Sequence, residues 1–391
     1  MTCIGEPQTQ AMSQVPDQPA AVTAPEREAR DRPPQSAPAE PSVSLQPGPA
    51  IPSLGAEKPP LPIDAEAYHA DMRAIAARAD DCENVADLVR LADLHALRPA
   101  GGPDGPWRLL KGMRPIYDPD AAVRCLERAQ QLAPGDAHIA IRLRDARVAA
   151  APPMLLAALP KSGSVFLFHG MTTGTGKGRV SGIQAGAFPN YTLCQSGMIF
   201  LMSYRLATHT HLAPSRTNLI ELSARFNFDR MLVHVRDPRQ ALVSWYYFMS
   251  AVLRDLEPSQ GLHYDVPADY LAWPQHRQLD WQIERMLPWF VDWIAGWLDA
   301  PAFPHFATRI LYTTFEDMVA DTKNFFDRIL EFYEIDRAGF TYPEPPRVHG
   351  DRNFRRGEVD EWRRLLAPDQ IERASAAIPA RMFDRFGWPR R

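Results

Sequence analysis

The chain has 391 residues, 45% of them hydrophobic, which leaves room for more than one domain and a real core. A net charge of −4 and a pI near 6.3 exclude nucleic-acid binding by bulk charge, so any anion site must come from local clustering. Cys3, Cys82, Cys125 and Cys194 are scattered and form no CxxC pair, which argues against a zinc site or a disulfide framework and fits a reducing compartment. No apolar run reaches the length of a membrane span and no basic-then-apolar signal opens the chain, so a soluble protein of the cytoplasm is expected.

In chain order, residues 1–62 are rich in Pro, Ala, Gln and Ser and cannot bury enough apolar surface to offset their ordering entropy. A disordered leader is expected there. Residues 63–150 read as helical. One segment runs from Ala65 to Ala77 and a second from Asn84 to Leu97. Asp118-Pro119 then caps and opens a third, with Ala121, Ala122, Cys125, Leu126 and Ala129 on one face. A Pro134-Gly135-Asp136 turn leads into a helix from Ala137 to Val148. The helix pair resembles a tetratricopeptide (TPR) unit. One or two such units are too few to stand alone, so packing on the following domain is expected, with protein contact as a secondary role.

From 151 to 391 apolar strands alternate with helices, which predicts an α/β domain with a central parallel sheet flanked by helices. Strands are expected at Met154–Leu159, Ser203–Thr208, Met231–Val235 and Arg309–Thr313, each followed at once by polar or basic residues. Open parallel sheets bind ligands beyond the carboxyl ends of their strands. The first strand runs into Lys161-Ser162-Gly163-Ser164 and then an apolar helix, a geometry that aims backbone N–H groups at an anion. Taken alone, the stretch is equally a plain strand–turn–helix corner. Thr173-Gly174-Thr175-Gly176-Lys177-Gly178 looks like a nucleotide phosphate loop but has Met171 and Gly178 where that pattern needs Gly and Ser or Thr. A flexible surface loop is expected there. Trp281, Trp289, Trp293 and Trp297 recur at helical spacing and read as core, as do His169 and His234. The stretch from Arg254 to Gln278 is a candidate lid.

Two further clusters carry charge. Arg236-Asp237-Pro238-Arg239-Gln240-Ala241-Leu242-Val243-Ser244-Trp245 joins a strand end to a helix, and Phe354-Arg355-Arg356-Gly357 is a basic turn before Asp360-Glu361-Trp362. With the first loop they resemble, in order, three motifs of the sulfotransferases that use 3′-phosphoadenosine 5′-phosphosulfate (PAPS): P-K-S/A-G-T-T-W/F, R-D-P-R-D-A-x-x-S-x-Y/W and F-R-K-G-x-x-G-D-W. Leu311-Tyr312-Thr313-Thr314-Phe315-Glu316-Asp317-Met318 is similar to the family's L-x-Y-E-D-M strand end. The resemblance spans Met154 to the C-terminus.

The resemblance implies the P-loop NTPase-like sulfotransferase fold and transfer of a sulfonate from PAPS to a hydroxyl of a small molecule, lipid or glycan by in-line displacement. Lys161, Ser162, Gly163, Ser164, Val165 and Phe166 would hold the 5′-phosphosulfate and adenine. Arg236, Ser244, Arg355, Arg356 and Gly357 would hold the 3′-phosphate, and Phe315 stands near the adenine. Ser164-Val165 stands where the family has Thr-Thr. Thr210-His211-Leu212-Ala213-Pro214 is similar to K-T-H-L-P with an inserted Ala, which makes His211 the catalytic base, with Lys161 stabilising the leaving group and His209 in the place of the family's Lys. Glu221 is a reserve base. A sulfonate carries less charge than a phosphoryl group, so no metal clamp is expected, and no nucleic-acid partner. Two other functional classes remain open on the residues alone: a nucleotide-dependent kinase, and a helical-repeat scaffold that binds nucleotide without chemistry.

Overall fold

The computed structural model describes residues 82–96, 117–255, 265–344 and 357–390, all within a compact unit of residues 62–391. The expected leader, the helix from Ala65 to Ala77, and Phe354, Arg355 and Arg356 lie outside the described residues.

Three helices come first: α1 (Val85–Ala96), α2 (Pro119–Leu132) and α3 (Ala137–Ala150). The cap read at Asp118 forms as a side-chain bond, and Asp136 of the turn caps α3 in the same way. Asp118 accepts from the Ala121 amide at 2.9 Å, and Asp136 from His138 at 2.8 Å and Ile139 at 3.3 Å. Leu88, Ala92, Cys125, Leu126, Ala129, Ile139 and Leu143 bury one another in a separate small core.

The chain then passes through β1 (Met154–Ala158), α4 (Ser164–Thr175), a short hairpin of β2 (Gln184–Ala185) and β3 (Thr192–Leu193), α5 (Gln195–Ser203) and β4 (Ala207–Thr210). After these come α6 (Arg216–Ile220) with a π turn at Glu221–Arg225, β5 (Arg230–Val235), α7 (Pro238–Asp255), α8 (Gln275–Arg285), α9 (Leu287–Asp299) and β6 (Arg309–Thr314). The remaining elements are α10 (Phe315–Ala320), α11 (Thr322–Phe332), α12 (Trp362–Leu365), α13 (Pro368–Ala376) and α14 (Ala380–Phe386).

Among the described residues β4, β1, β5 and β6 form one four-stranded sheet in that order, every pair parallel. Leu156 sits opposite His209 on one side and Leu232 on the other. Both faces are covered, which is why β1 and β5 read as unbroken apolar runs rather than alternating ones. One face, with Met154, Leu156, Ala158 and Leu232, packs on Leu167 and Met171 of α4 and Phe325, Phe326 and Ile329 of α11. The other face, with Leu155, Ala157, Met231, Val233 and Val235, packs on residues of α5, α7 and α9.

Several expectations are corrected. The second strand starts at Ala207, not Ser203, because Met198, Phe200 and Leu201 are buried from a helix that Ser203 closes, and Arg205 turns the chain at φ 46°. Thr173-Gly174-Thr175 is the last turn of α4 rather than a surface loop, and Lys177 is buried, donating to the carbonyls of Val148 at 3.1 Å and Ala151 at 3.0 Å. His169 is exposed on α4 and not in the core. The tryptophan stripe is split between α8 and α9. Trp293 and Trp297 are buried, and their indoles donate to the Leu212 carbonyl at 2.8 and 3.1 Å. Residues 256–264 of the expected lid lie outside the described residues. In its later part Tyr270 and Gln278 are buried, the Tyr270 hydroxyl accepting from Gln282 at 2.9 Å, while most of the residues around them are exposed.

Candidate active site

A parallel sheet delivers all its carboxyl ends to one edge. Here that edge collects the turn after β1, His211 after β4, Arg236 after β5 and Phe315 after β6. The chain leaves β1 for β4 on one side and then crosses from β4 to β5 on the other, so the turn after β1 lies where the winding of the sheet reverses.

The turn from Leu159 to Ser164 is built by backbone geometry that only some residues tolerate. Lys161 has φ 65° and Gly163 φ 81°. A Cβ at Gly163 would meet the Phe315 ring at 2.9 Å and the Met318 methyl at 3.0 Å, so glycine is required on both counts. The first intrahelical bond of α4 runs from Leu167 N–H to the Gly163 carbonyl at 3.1 Å. The amides before it have no acceptor inside the helix and make its positive end. Ser162 is buried with its hydroxyl donating to the Leu159 carbonyl at 2.7 Å, so it shapes the turn from within. Val165 is half exposed at the helix start, and Phe166 packs edge-on to Phe326, centroids 6.3 Å apart. The Lys161 ammonium lies over the Phe248 ring of α7, 4.3 Å from its centroid.

His234 clamps this turn from below. It is fully buried on β5, its Nε2–H donates to the Ser162 carbonyl at 2.9 Å, and its Nδ1 accepts from the Thr313 hydroxyl at 2.9 Å. Burial pushes its pKa down to about 4, so the ring is neutral. In the sequence it reads only as a core residue; its carbonyl-holding role has no motif.

Arg236 bridges what the sequence holds far apart. Its Nη1 donates to the Lys161 carbonyl at 3.0 Å, its Nη2 to the Glu358 carbonyl at 2.7 Å, and its guanidinium lies on Phe315, 3.7 Å from the ring centroid. Gly357, at φ 70°, directly precedes the Glu358 that accepts from Arg236. Asp237 and Arg239 are partners rather than ligands. The buried Arg239 binds Asp237 through two bonds of 3.0 and 2.6 Å and stacks on Trp362, 3.8 Å from the ring centroid. The Trp362 amide donates to Gln240 at 3.2 Å, so the Asp360-Glu361-Trp362 segment rests on the start of α7. Ser244 is half-buried farther along that helix. Glu316 is half-buried behind the turn, accepting from the Asp237 amide at 3.2 Å and the Trp388 indole at 3.1 Å, and desolvation raises its pKa.

His211 follows β4 at the same edge. Its Nδ1–H donates to the Ala158 carbonyl at 2.7 Å, which leaves Nε2 as the basic nitrogen. Burial holds its pKa below the usual imidazole value; the bond to Ala158 opposes this and the nearby Lys161 charge adds to it. Its ring lies 6.3 Å from that of Tyr191 and 5.1 Å from that of His209. Burial, helped by His211, pushes the pKa of His209 down to about 3, so a neutral ring stands where the family has a Lys. Glu221 is paired with Arg225 at 3.3 Å in the π turn.

Among the described residues no group of three or more His, Cys, Asp or Glu could hold a metal ion, and no helix is long and apolar enough to cross a membrane. Residues 151–341 match a family model described as a sulfotransferase domain. No curated protein matches the chain. Among solved structures, mouse sulfotransferase SULT7A1 complexed with PAP aligns at 17% identity over 58% of this chain and 82% of that one, with a TM-score of 0.39.

Proposed function

We propose that the chain, whose residues 151–341 match a sulfotransferase domain, is a PAPS-dependent sulfotransferase that works through Lys161, the start of α4, Arg236 and His211. The observation that supports this reading is the bridge from Arg236 to the Lys161 carbonyl at 3.0 Å, which brings the two basic motifs into contact. The cradle fits a doubly phosphorylated nucleotide. Gly163 lets Phe315 and Met318 close against the back of the turn, the first amides of α4 have no acceptor within their helix, and two cations stand at the edge.

PAPS supplies an activated sulfonate on its 5′-phosphate. Lys161 and the amides of Gly163 to Val165 meet the charge that develops on that phosphate. Arg236 and Ser244, with Arg355, Arg356 and Gly357, hold the 3′-phosphate. Phe166 and Phe315 would lie near the adenine. His211 Nε2 takes the proton of the acceptor hydroxyl. Its lowered pKa keeps it neutral, hence competent as a base, at pH 7. The helical region 63–150 would serve as a cap on the 151–391 domain and as a surface for protein contact.

Calorimetry with 3′,5′-ADP against 5′-AMP tests the nucleotide grip. The 3′-phosphate should tighten binding at least about 10-fold, the worth of one charge-assisted contact. Equal affinities would end the assignment of Arg236.

A further inference from the structure

We infer that Gln184, on the β2–β3 hairpin, is a positioning residue for the His211 base; the inference rests on the assignment of His211 given above. The Gln184 side-chain oxygen accepts from the His211 backbone N–H at 3.2 Å and from the Thr210 hydroxyl. The backbone N–H can only donate, so the amide orientation is fixed with oxygen toward His211. Nothing in the local sequence signals this, since Gln184 lies 26 residues from Thr210 and 27 from His211.

Three bonds then define the place of the base. Ala158 holds the ring through Nδ1 at 2.7 Å, Gln184 holds the main-chain N–H, and the Trp293 indole reaches the His211 carbonyl at 3.4 Å. The hairpin is itself anchored. Buried Asn218 accepts from the Leu193 amide at 3.0 Å and donates to the carbonyls of Tyr191 and Ala213, both at 2.8 Å. The same hairpin carries Tyr191 beside the His211 ring. Gln184 therefore couples a braced hairpin to the residue whose Nε2 must meet the acceptor hydroxyl, and a displacement of about 1 Å at such a group costs about 100-fold in rate.

The test uses the full chain with 3′,5′-ADP or PAPS, two Gln184 variants and His211→Gln. Nitrogen NMR of the histidine rings reads tautomer and titration without an acceptor. Transfer from radiolabelled PAPS to the best of a panel of phenols, alcohols and sugars reads turnover. Gln184→Leu removes the acceptor for both donors. It should lower kcat about 10- to 100-fold with KM for PAPS unchanged, and mix the His211 tautomers. Gln184→Glu keeps the acceptor and adds a negative charge. It should hold the Nδ1–H tautomer and move the His211 titration, and with it the acid limb of kcat/KM, up by about one pH unit. If Gln184 served folding alone, Gln184→Leu would lower the melting temperature and leave kcat and the His211 tautomer where they were, which would overturn the inference. Full transfer by His211→Gln would instead remove the base assignment, while the Gln184→Glu titration would still show whether the two residues are coupled.

Discussion

Helix α4 has lysine, glycine and hydroxyl residues at both ends: Lys161-Ser162-Gly163-Ser164 lead into it, and Thr173-Gly174-Thr175-Gly176-Lys177 close it. By composition the second is the more suggestive of a phosphate loop. Helix polarity separates them. The first end presents amides that have no acceptor within the helix; the second presents carbonyls, and Gly176 at φ 75° caps them with a 3.0 Å bond to Thr172. The fates of the lysines follow. Lys161 stands at the sheet edge beside His211 and Phe248, whereas Lys177 is buried against two carbonyls from the end of α3 and the residue after it. On the proposed reading, a lysine in a glycine-rich stretch becomes an anion ligand or an internal strut according to which helix end it serves.

The lysine pair gives the largest contrast. Lys161→Ala should cut turnover about 1,000-fold, the usual worth of one preformed donor to developing charge, with little change in melting temperature. Lys177→Met should leave turnover and 3′,5′-ADP affinity unchanged and lower stability by about 1–3 kcal/mol, because two carbonyls lose their donor. Steady-state kinetics and thermal unfolding on both variants decide it. A stable, fully active Lys161→Ala would erase the distinction.

The first end is also held from beneath, and that support titrates. His234 has a folded pKa of about 4 against an ordinary 6.5, so the unfolded chain binds the proton first as pH falls. Stability is therefore full above about pH 6.5, declines as pH drops toward 4, and stops declining on this account below that. The shift corresponds to about 3 kcal/mol. His234→Asn should flatten that part of the pH dependence in denaturant titrations between pH 4 and 6.5.

What the sequence made legible followed from local rules. The cap at Asp118, the apolar runs of β1 and β5, and the polar residues after each strand are read from neighbours within a few positions. The family motifs then brought Lys161, Arg236 and His211 to one edge before any coordinates. What stayed hidden depends on contacts between distant positions. Gln184 looks like any surface glutamine until β2 is placed beside β4. His234 reads as core because burial has a pattern and a bond to the Ser162 carbonyl has none. The stretch from Thr173 was misread because its residues suit a loop, and only the packing of Gly174 on Phe340, where a Cβ would come within 2.5 Å, reveals the helix that continues through it.

The smallest contrast isolates packing from backbone strain. Gly163 and Gly176 flank the same helix at φ 81° and 75°, so alanine at either carries the same left-handed cost of about 1 kcal/mol. They differ in what a Cβ would touch: nothing within 4 Å at Gly176, the Phe315 ring and the Met318 methyl at Gly163. The difference in stability between Gly163→Ala and Gly176→Ala should therefore be the overpacking term alone, about 1–3 kcal/mol. Phe315 also supports the Arg236 guanidinium, 3.7 Å from its centroid. A displaced ring should carry Arg236 with it, so Gly163→Ala weakens 3′,5′-ADP binding and Gly176→Ala does not. Equal losses of stability in the two variants, with equal nucleotide affinity, would mean that the turn after β1 is no more tightly specified than the helix end it is compared with.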